Sequence, residues 1–154
     1  ANLYRYFRNK EDIAVACTRR CLEERSRRLR AVVESTQPAD KKLQTFFSEI
    51  LRYTYEQVSS NPRINELVNV IAEKYKDVLL DKNEVERGLI KRILEQGIHE
   101  GTFSLDDIDR ATIAVHTSMH LFQLPLSMTV HDLETLMDMV PVTTELLLNG
   151  LRKK

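Results

Sequence analysis

Two histidines, His116 and His120, lie four positions apart in the 154-residue chain, a spacing that places both imidazoles on one face of a helix. Zinc and nickel sites use such pairs, but a site needs a further ligand, which His99, His131 or a carboxylate would have to supply. The pair is therefore open to two interpretations, as metal ligands or as polar groups of an apolar pocket.

Several other polar side chains interrupt apolar helical stripes, and they favour a pocket. A small-molecule site is usually an apolar cavity on which a few polar groups converge. We therefore predict that an apolar or amphipathic organic effector binds between the middle helices and the penultimate helix. The predicted lining comprises Phe46, Phe47, Ile50, Tyr53, Thr54, Ile71, Tyr75, Leu94, His116, His120 and Phe122.

The sequence gives no support to an enzyme. The chain has four glycines, the first at position 88, so neither a phosphate-binding P-loop nor a G-x-G-x-x-G turn can form. No serine, threonine or cysteine has a base and an orienting group at a helpful spacing. We expect no catalytic residue, no cofactor and no resident metal.

Cys17 and Cys21 also share a helical face. A disulfide between positions i and i+4 of a regular helix has poor geometry, so reduced thiols and a cytoplasmic location are expected. No apolar run approaches the length of about 18 residues that spans a bilayer, and no contact with a membrane is expected.

The elements that must position these residues are predicted to be all helical, in a bundle of about six helices after an N-terminal helical stub. Apolar residues recur at helical spacing, and no strand-like alternation competes. Four starts pair an N-cap residue with an acid three positions later, and Pro62 marks a fifth. These four pairs are Asn9–Asp12, Asp81–Glu84, Ser104–Asp107 and Thr129–Asp132. The predicted segments are 9–35, 39–60, 62–79, 82–100, 105–124 and 130–151.

The last two helices are predicted to be apolar on nearly every face. A helix of this kind either lies at the centre of a core or presents its second face to another chain. Because six helices leave little room for two central ones, we predict a homodimer with these helices across a two-fold axis; the alternative is a monomer that buries both. The predicted interface comprises Ile113, Thr117, Leu121, Leu136, Met139, Val140, Thr143 and Leu147.

The formal net charge of zero hides an asymmetry. Residues 1–30 contain nine Lys or Arg and four Asp or Glu, whereas residues 31–154 contain fourteen and nineteen. The N-terminal excess of positive charge is typical either of a segment that faces a polyanion or of a solvated helix face.

The first thirteen residues carry a dense pattern of aromatic, lysine and acidic positions, Leu3-Tyr4-x-Tyr6-Phe7-x-Asn9-Lys10-Glu11-x-Ile13. This string resembles the end of the DNA-binding domain in the tetracycline-repressor (TetR) family of bacterial regulators, where a recognition helix leads into a long fourth helix. The segment 95–103 resembles a turn in that family's regulatory domain.

The resemblance implies a role in DNA binding for four residues. Tyr hydroxyls, a Lys ammonium and amides at a helix start can donate to phosphate oxygens, which fixes register on the duplex without reading its sequence. Tyr4, Tyr6 and Lys10 are predicted to make such contacts, and Asn2 to face the bases.

The resemblance further implies that residues 1–12 are a remnant of a helix-turn-helix domain and that residues 13–154 form an effector-binding and dimerisation domain. Some forty residues would precede this point in a complete member, so the chain alone is not expected to bind operator DNA usefully. The implied function is a ligand-responsive transcriptional repressor that releases operator DNA when its effector binds. The alternative is a helical metal- or cofactor-binding protein with no role on DNA.

Overall fold

The computed structural model describes residues 9–152, and over this range it confirms the all-α fold. The helices in chain order are α1 (Lys10–Glu34), α2 (Ala39–Ser60), α3 (Ile64–Lys74), α4 (Lys76–His99), α5 (Ile108–Ser118), a 3₁₀ helix (His120–Gln123), α6 (Ser127–Val130) and α7 (Leu133–Leu151). None of these helices is both long enough and apolar enough to cross a membrane.

Helix α1 begins where the sequence predicts. The side-chain oxygen of Asn9 accepts the Asp12 N–H at 2.9 Å, which satisfies one of the amides that a helix start leaves unpaired. Helix α2 follows Pro38, and its first amide, that of Ala39, donates to the Glu100 carboxylate at 3.2 Å.

Helices α5 and α7 begin three residues later than predicted. Their N-caps are Asp107 and Asp132, whose carboxylates accept backbone N–H groups at 3.0 and 2.7 Å. The predicted caps are therefore wrong: Ser104 precedes α5 by several residues, and Thr129 lies in the short α6. An aspartate cap satisfies the amide and also complements the positive end of the helix dipole, which a serine or threonine hydroxyl does less well.

The boundary between α3 and α4 also differs from the prediction. It falls at Tyr75, whose φ of −131° and ψ of 52° interrupt the helix for one residue. Asp81 and Glu84 lie inside α4 on its exposed side, so they are surface acids and not a helix start. Helix α3 begins at Ile64, two residues after Pro62.

The penultimate helix is shorter than predicted. Helix α5 ends at Ser118, and the chain tightens into the 3₁₀ helix before it becomes extended at Leu124. His116 and His120 therefore do not share one continuous α-helical face, and their rings are perpendicular, with centroids 6.1 Å apart.

The centre of the bundle is formed by α2 and α4, and not by the last two helices. Helix α2 packs against α1, α4, α7 and the 3₁₀ helix, while α4 packs against α1, α2, α3 and α5. The core between them includes Phe46 and Phe47, whose rings meet edge to face at 5.6 Å. Helix α7 contributes one face to this core, including Leu136, Val140 and Leu148.

A tight turn connects α4 to the segment before α5. The carbonyl of Gly97 accepts the N–H groups of both Thr102 and Phe103, at 2.9 and 3.0 Å, and Gly101 takes a φ of +73°. The Phe103 ring lies directly on Gly97, and Ser104 N–H donates to the Leu151 carbonyl at 2.9 Å. The turn thereby joins the end of α4 to the end of α7.

Candidate functional site

A cavity of about 280 Å³ lies among α1, α2, α3, α4 and the segment that contains the 3₁₀ helix. Its volume is close to the lower end of the range of roughly 300–1,000 Å³ found for small-molecule sites. The lining residues are Cys17, Thr18, Cys21, Leu22, Arg25, Tyr53, Thr54, Gln57, Asn61, Ile64, Leu67, Val68, Ile71, Leu79, Lys82, Asn83, His120, Gln123, Leu124 and Pro125.

One wall of the cavity is apolar and is supplied by α3. Ile64, Leu67, Val68 and Ile71 follow the i, i+3, i+4, i+7 spacing that places side chains on one helical face. Only Ile71 is fully buried; the other three retain partial solvent contact. Binding of an apolar molecule would be favoured because it would remove this exposed apolar surface from water.

The wall formed by α1 and α2 carries polar atoms that already have partners. The Tyr53 hydroxyl donates to the Cys21 carbonyl at 2.7 Å, and the Thr54 hydroxyl donates to a carbonyl within α2 at 2.9 Å. Burial and the neighbouring Cys21 raise the pKa of Tyr53 to about 12, so the phenol stays neutral. The Cys21 thiol contacts the Gln57 amide oxygen at 3.4 Å.

The end of the cavity formed by Arg25 and Lys82 adjoins a buried ionic cluster around Glu86. Its carboxylate lies 2.8 Å from the Arg25 guanidinium, 3.3 Å from the Lys82 ammonium and 3.0 Å from His116 Nε2. The cluster joins α1, α4 and α5, and these side chains are almost entirely shielded from water. These contacts stabilise the buried charges, because removing one charged partner would leave the other as an uncompensated charge away from water.

The electrostatics of the cluster shift two pKa values. Burial alone would raise the pKa of Glu86, but the charge of Arg25, the hydrogen bond from His116 and the charge of Lys82 outweigh it and lower that pKa to about 2. Burial lowers the pKa of Lys82 to about 8, although Glu86 opposes the shift. Glu86 is therefore ionised at neutral pH.

Gln123, on the 3₁₀ helix, connects the cluster to the cavity. Its side-chain oxygen accepts from Lys82 Nζ at 3.0 Å and from Arg25 Nη2 at 3.4 Å. Its Nε2 group is buried, and no acceptor within residues 9–152 pairs with it.

The two histidines of the predicted pocket have different surroundings. His116 is buried and hydrogen-bonded to Glu86, whereas His120 is on the cavity wall. Burial and the nearby Lys82 and His116 lower the pKa of His120. In the part of the chain that the structure describes, no three His, Cys, Asp or Glu side chains are grouped as metal ligands would be.

Four of the eleven predicted pocket residues line the cavity: Tyr53, Thr54, Ile71 and His120. The other seven lie elsewhere, because a helical stripe does not distinguish a cavity wall from a packed core. Tyr75 is half-buried beside Glu11, and His116 is in the ionic cluster. The remaining five, Phe46, Phe47, Ile50, Leu94 and Phe122, are packed in the core.

The eight predicted interface residues also separate by position. Leu136 and Val140 lie on the face of α7 that packs into the chain's own core, so a second chain cannot reach them. Two others are half-buried, Thr143 and Leu147. The exposed members are Ile113, Thr117, Leu121 and Met139.

Of the predicted DNA-binding residues, only Lys10 is described, as the exposed first residue of α1. Asn2, Tyr4 and Tyr6 lie outside the described range.

The prediction missed the charged end of the cavity, although the sequence contained a signal for it. Arg25 falls on the same stripe as Leu22 and Leu29 on α1, and Glu86 falls on the same face as Leu89 and Ile93 on α4. A charged residue within an apolar stripe is buried only when it has a partner. Two such residues on different helices therefore predict a buried pair.

The fold and the cavity are those of an all-α domain with an internal pocket beside a buried charge cluster. A profile of the tetracyclin repressor-like C-terminal domain matches residues 39–140, and the chain therefore belongs to the TetR family of transcription regulators. None of the curated proteins matches the chain. Domains of this family generally dimerise and bind small molecules, and its regulators are typically not enzymes.

Proposed function

We propose that this chain is the effector-binding and dimerisation part of a ligand-responsive transcriptional repressor. Residues 13–154 form that part, and residues 1–12 are the end of its DNA-binding domain. The observation that carries the proposal is the cavity of about 280 Å³ walled by α1, the helix that begins directly after the segment resembling a recognition helix.

Helix α1 is suited to transmit the occupancy of the cavity. Five of its side chains are on the cavity wall, between positions 17 and 25, while its first residue is Lys10. A ligand that fits better when α1 is tilted shifts the population towards that tilt. A coupling of about 1–3 kcal/mol would change operator affinity by roughly 5–150-fold.

The proposed DNA contacts are made by Lys10, the first residue of this helix, and by residues that precede it in the sequence. Tyr4, Tyr6 and Lys10 would hold phosphates, and Asn2 would face the bases, in the dimer that reads two half-sites. An effector that changes the separation of the two DNA-binding domains in the dimer would prevent both domains from fitting successive major grooves.

The proposed dimer contact is the outer apolar face of α5, the segment after it and α7. Within the described residues, large apolar side chains there are at least 40% exposed. They are Ile113, Leu121, Leu124, Leu126, Val130, Met139, Val142 and Leu146. Exposed large apolar side chains in such number are typical of protein interfaces.

The test is to fill the cavity in the regulator that carries this chain behind its DNA-reading helices. Leu67 lines the cavity on α3, and Leu67→Trp places an indole in the space that a ligand would use. We expect small amphipathic compounds to release operator DNA from the unmodified protein but not from this variant, in a fluorescence anisotropy assay.

The matched control is Glu66→Trp, which adds the same ring to an exposed position of α3 outside the cavity lining. It should respond to compounds as the unmodified protein does. Equal responses of both tryptophan variants, or an operator affinity that no bound compound changes, would contradict the proposal.

A further inference from the structure

The charges that line the cavity are all of one sign. Arg25 and Lys82 are among the lining residues, and no Asp or Glu is, because Glu86 lies behind them. These two cations share the Glu86 carboxylate, which lines a neighbouring groove together with them but does not line the cavity. The end of the cavity is therefore electropositive, and the low dielectric of its apolar walls strengthens that field.

Two lining residues at this end, Arg25 and Gln123, also hold buried hydrogen-bond donors without acceptors in the described part of the chain. Because the Gln123 oxygen accepts from both cations, its two Nε2–H donors are left over, in a residue that is only 5% exposed. Arg25, 6% exposed, makes its contacts through Nη2, and its Nε has no partner within residues 9–152. A buried donor without a partner is unfavourable, and a ligand acceptor that pairs with it removes that cost.

We propose that the ligand of this cavity is an amphipathic carboxylate, an inference that rests on the proposed function of the cavity as an effector site. The carboxylate accepts from Lys82, Arg25 and Gln123, and it supplies the negative charge that the cavity end lacks. The apolar body of the ligand lies along Leu67 and Val68 of α3.

A neutral or cationic head group fits these surroundings less well. An alcohol or ketone would pair with one or two donors but would leave the excess positive charge uncompensated. An amine would add a third cation beside Arg25 and Lys82, and the Glu86 carboxylate already has three partners. Positive charges placed side by side repel each other strongly in a buried site.

The experiment compares three probes of one shape, octanoate, octan-1-ol and octylamine, by calorimetric titration of the full 154-residue chain at neutral pH. 4-Phenylbutyrate and 4-phenylbutanol repeat the comparison on a second shape. We expect each carboxylate to bind at least about tenfold more tightly than its alcohol, because a charge-assisted hydrogen bond is stronger than one between neutral groups. Octylamine is expected not to bind.

Lys82→Met removes one cation and leaves Glu86 paired with Arg25 and His116. It should weaken octanoate by about tenfold or more and leave octan-1-ol nearly unchanged. Gln123→Glu is a second, isosteric variant: its carboxylate occupies the electropositive end, so octanoate should lose its advantage over the alcohol. The control is Lys91→Met, which alters an α4 lysine paired with Asp109 away from the cavity and should change neither affinity.

The outcomes separate this inference from the function on which it rests. If the alcohols bind as tightly as the acids, and Leu67→Trp abolishes both, the cavity is a ligand site but not one for carboxylates. If octanoate binds equally well to Lys82→Met, Gln123→Glu and the unmodified chain, the assigned head-group contacts are wrong. If no probe binds, the cavity's role as an effector site is contradicted as well.

Discussion

At the scale of single residues, two carboxylates with similar pKa values have different consequences for stability. Hydrogen bonds from Arg27 and Arg28 lower the pKa of Glu24 to about 2, but these three side chains are on the surface, where water and salt screen the interaction. Glu86 reaches about the same pKa inside the bundle, with three partners from three helices. Only Glu86 is expected to hold helices together.

Glu86→Gln tests this role. The substitution keeps the shape of the side chain but leaves Arg25 and Lys82 without a counter-charge, so we expect the free energy of unfolding at pH 7 to fall by about 3–5 kcal/mol. Because the pKa of Glu86 is lowered from about 4.5 to about 2, its contribution is present above pH 4.5 and is lost as the pH falls towards 2. Urea denaturation at several pH values should show the two proteins converging in acid.

The control is Glu84→Gln, on the same helix but exposed. It should change the free energy of unfolding by less than about 0.5 kcal/mol at every pH. If Glu86→Gln lowers the free energy of unfolding by no more than this, or if the loss does not shrink in acid, the cluster contributes little to stability.

At the scale of elements, the turn after α4 depends on one close contact. The Phe103 ring occupies the space where a side chain on Gly97 would begin, and the double hydrogen bond to the Gly97 carbonyl holds it there. The same turn positions the end of α7, through the Ser104–Leu151 hydrogen bond. A glycine at this position is therefore a packing requirement and not a source of flexibility.

Gly97→Ala should destabilise the chain by about 1–3 kcal/mol, because the added methyl group overlaps the Phe103 ring and forces it to move. Gly88→Ala provides a control of opposite sign. Position 88 is also within α4 but has open space around it, so alanine should stabilise the helix by roughly 0.5–1 kcal/mol. Thermal unfolding of the two variants measures both effects, and equal shifts would refute the packing argument.

At the scale of the whole molecule, α7 has two apolar faces with different surroundings. Leu136, Val140 and Leu148 are buried, whereas Met139 and Leu146 are 44% and 70% exposed. One face thus completes the chain's own core, and the other is left for a second copy in the proposed dimer.

Met139→Glu should weaken that dimer, since a carboxylate would be buried there without a partner. We expect the dissociation constant to rise by at least about a hundredfold in analytical ultracentrifugation. Leu80→Glu is the matched control, because Leu80 is also exposed and apolar but lies on α4; its dimer should be unaffected. A monomeric unmodified chain, or equal effects of both variants, would contradict the proposed interface.

The sequence by itself determined the all-α class, most of α1 and α2, and the family resemblance. These follow from local rules: the 3.6-residue period of apolar positions, the Asn9 cap and a short motif of fixed spacing. It did not determine which apolar stripe faces the core and which faces the cavity, because both stripes consist of the same residue types. Phe46 and Ile71 therefore looked equivalent, yet only Ile71 lines the cavity.

Only the tertiary structure decided the charged end of the cavity. The apolar stripes of α1 and α4 indicate that Arg25 and Glu86 are buried and paired. Gln123 is tens of positions from both, and no local pattern indicates that the 3₁₀ helix brings it within hydrogen-bond distance. The physical reason is that a buried charge is stable only beside a partner. The packing of the whole bundle determines which residues on different helices become partners. Helix formation is a local property of the chain, whereas the electrostatics of this site belong to the assembled fold.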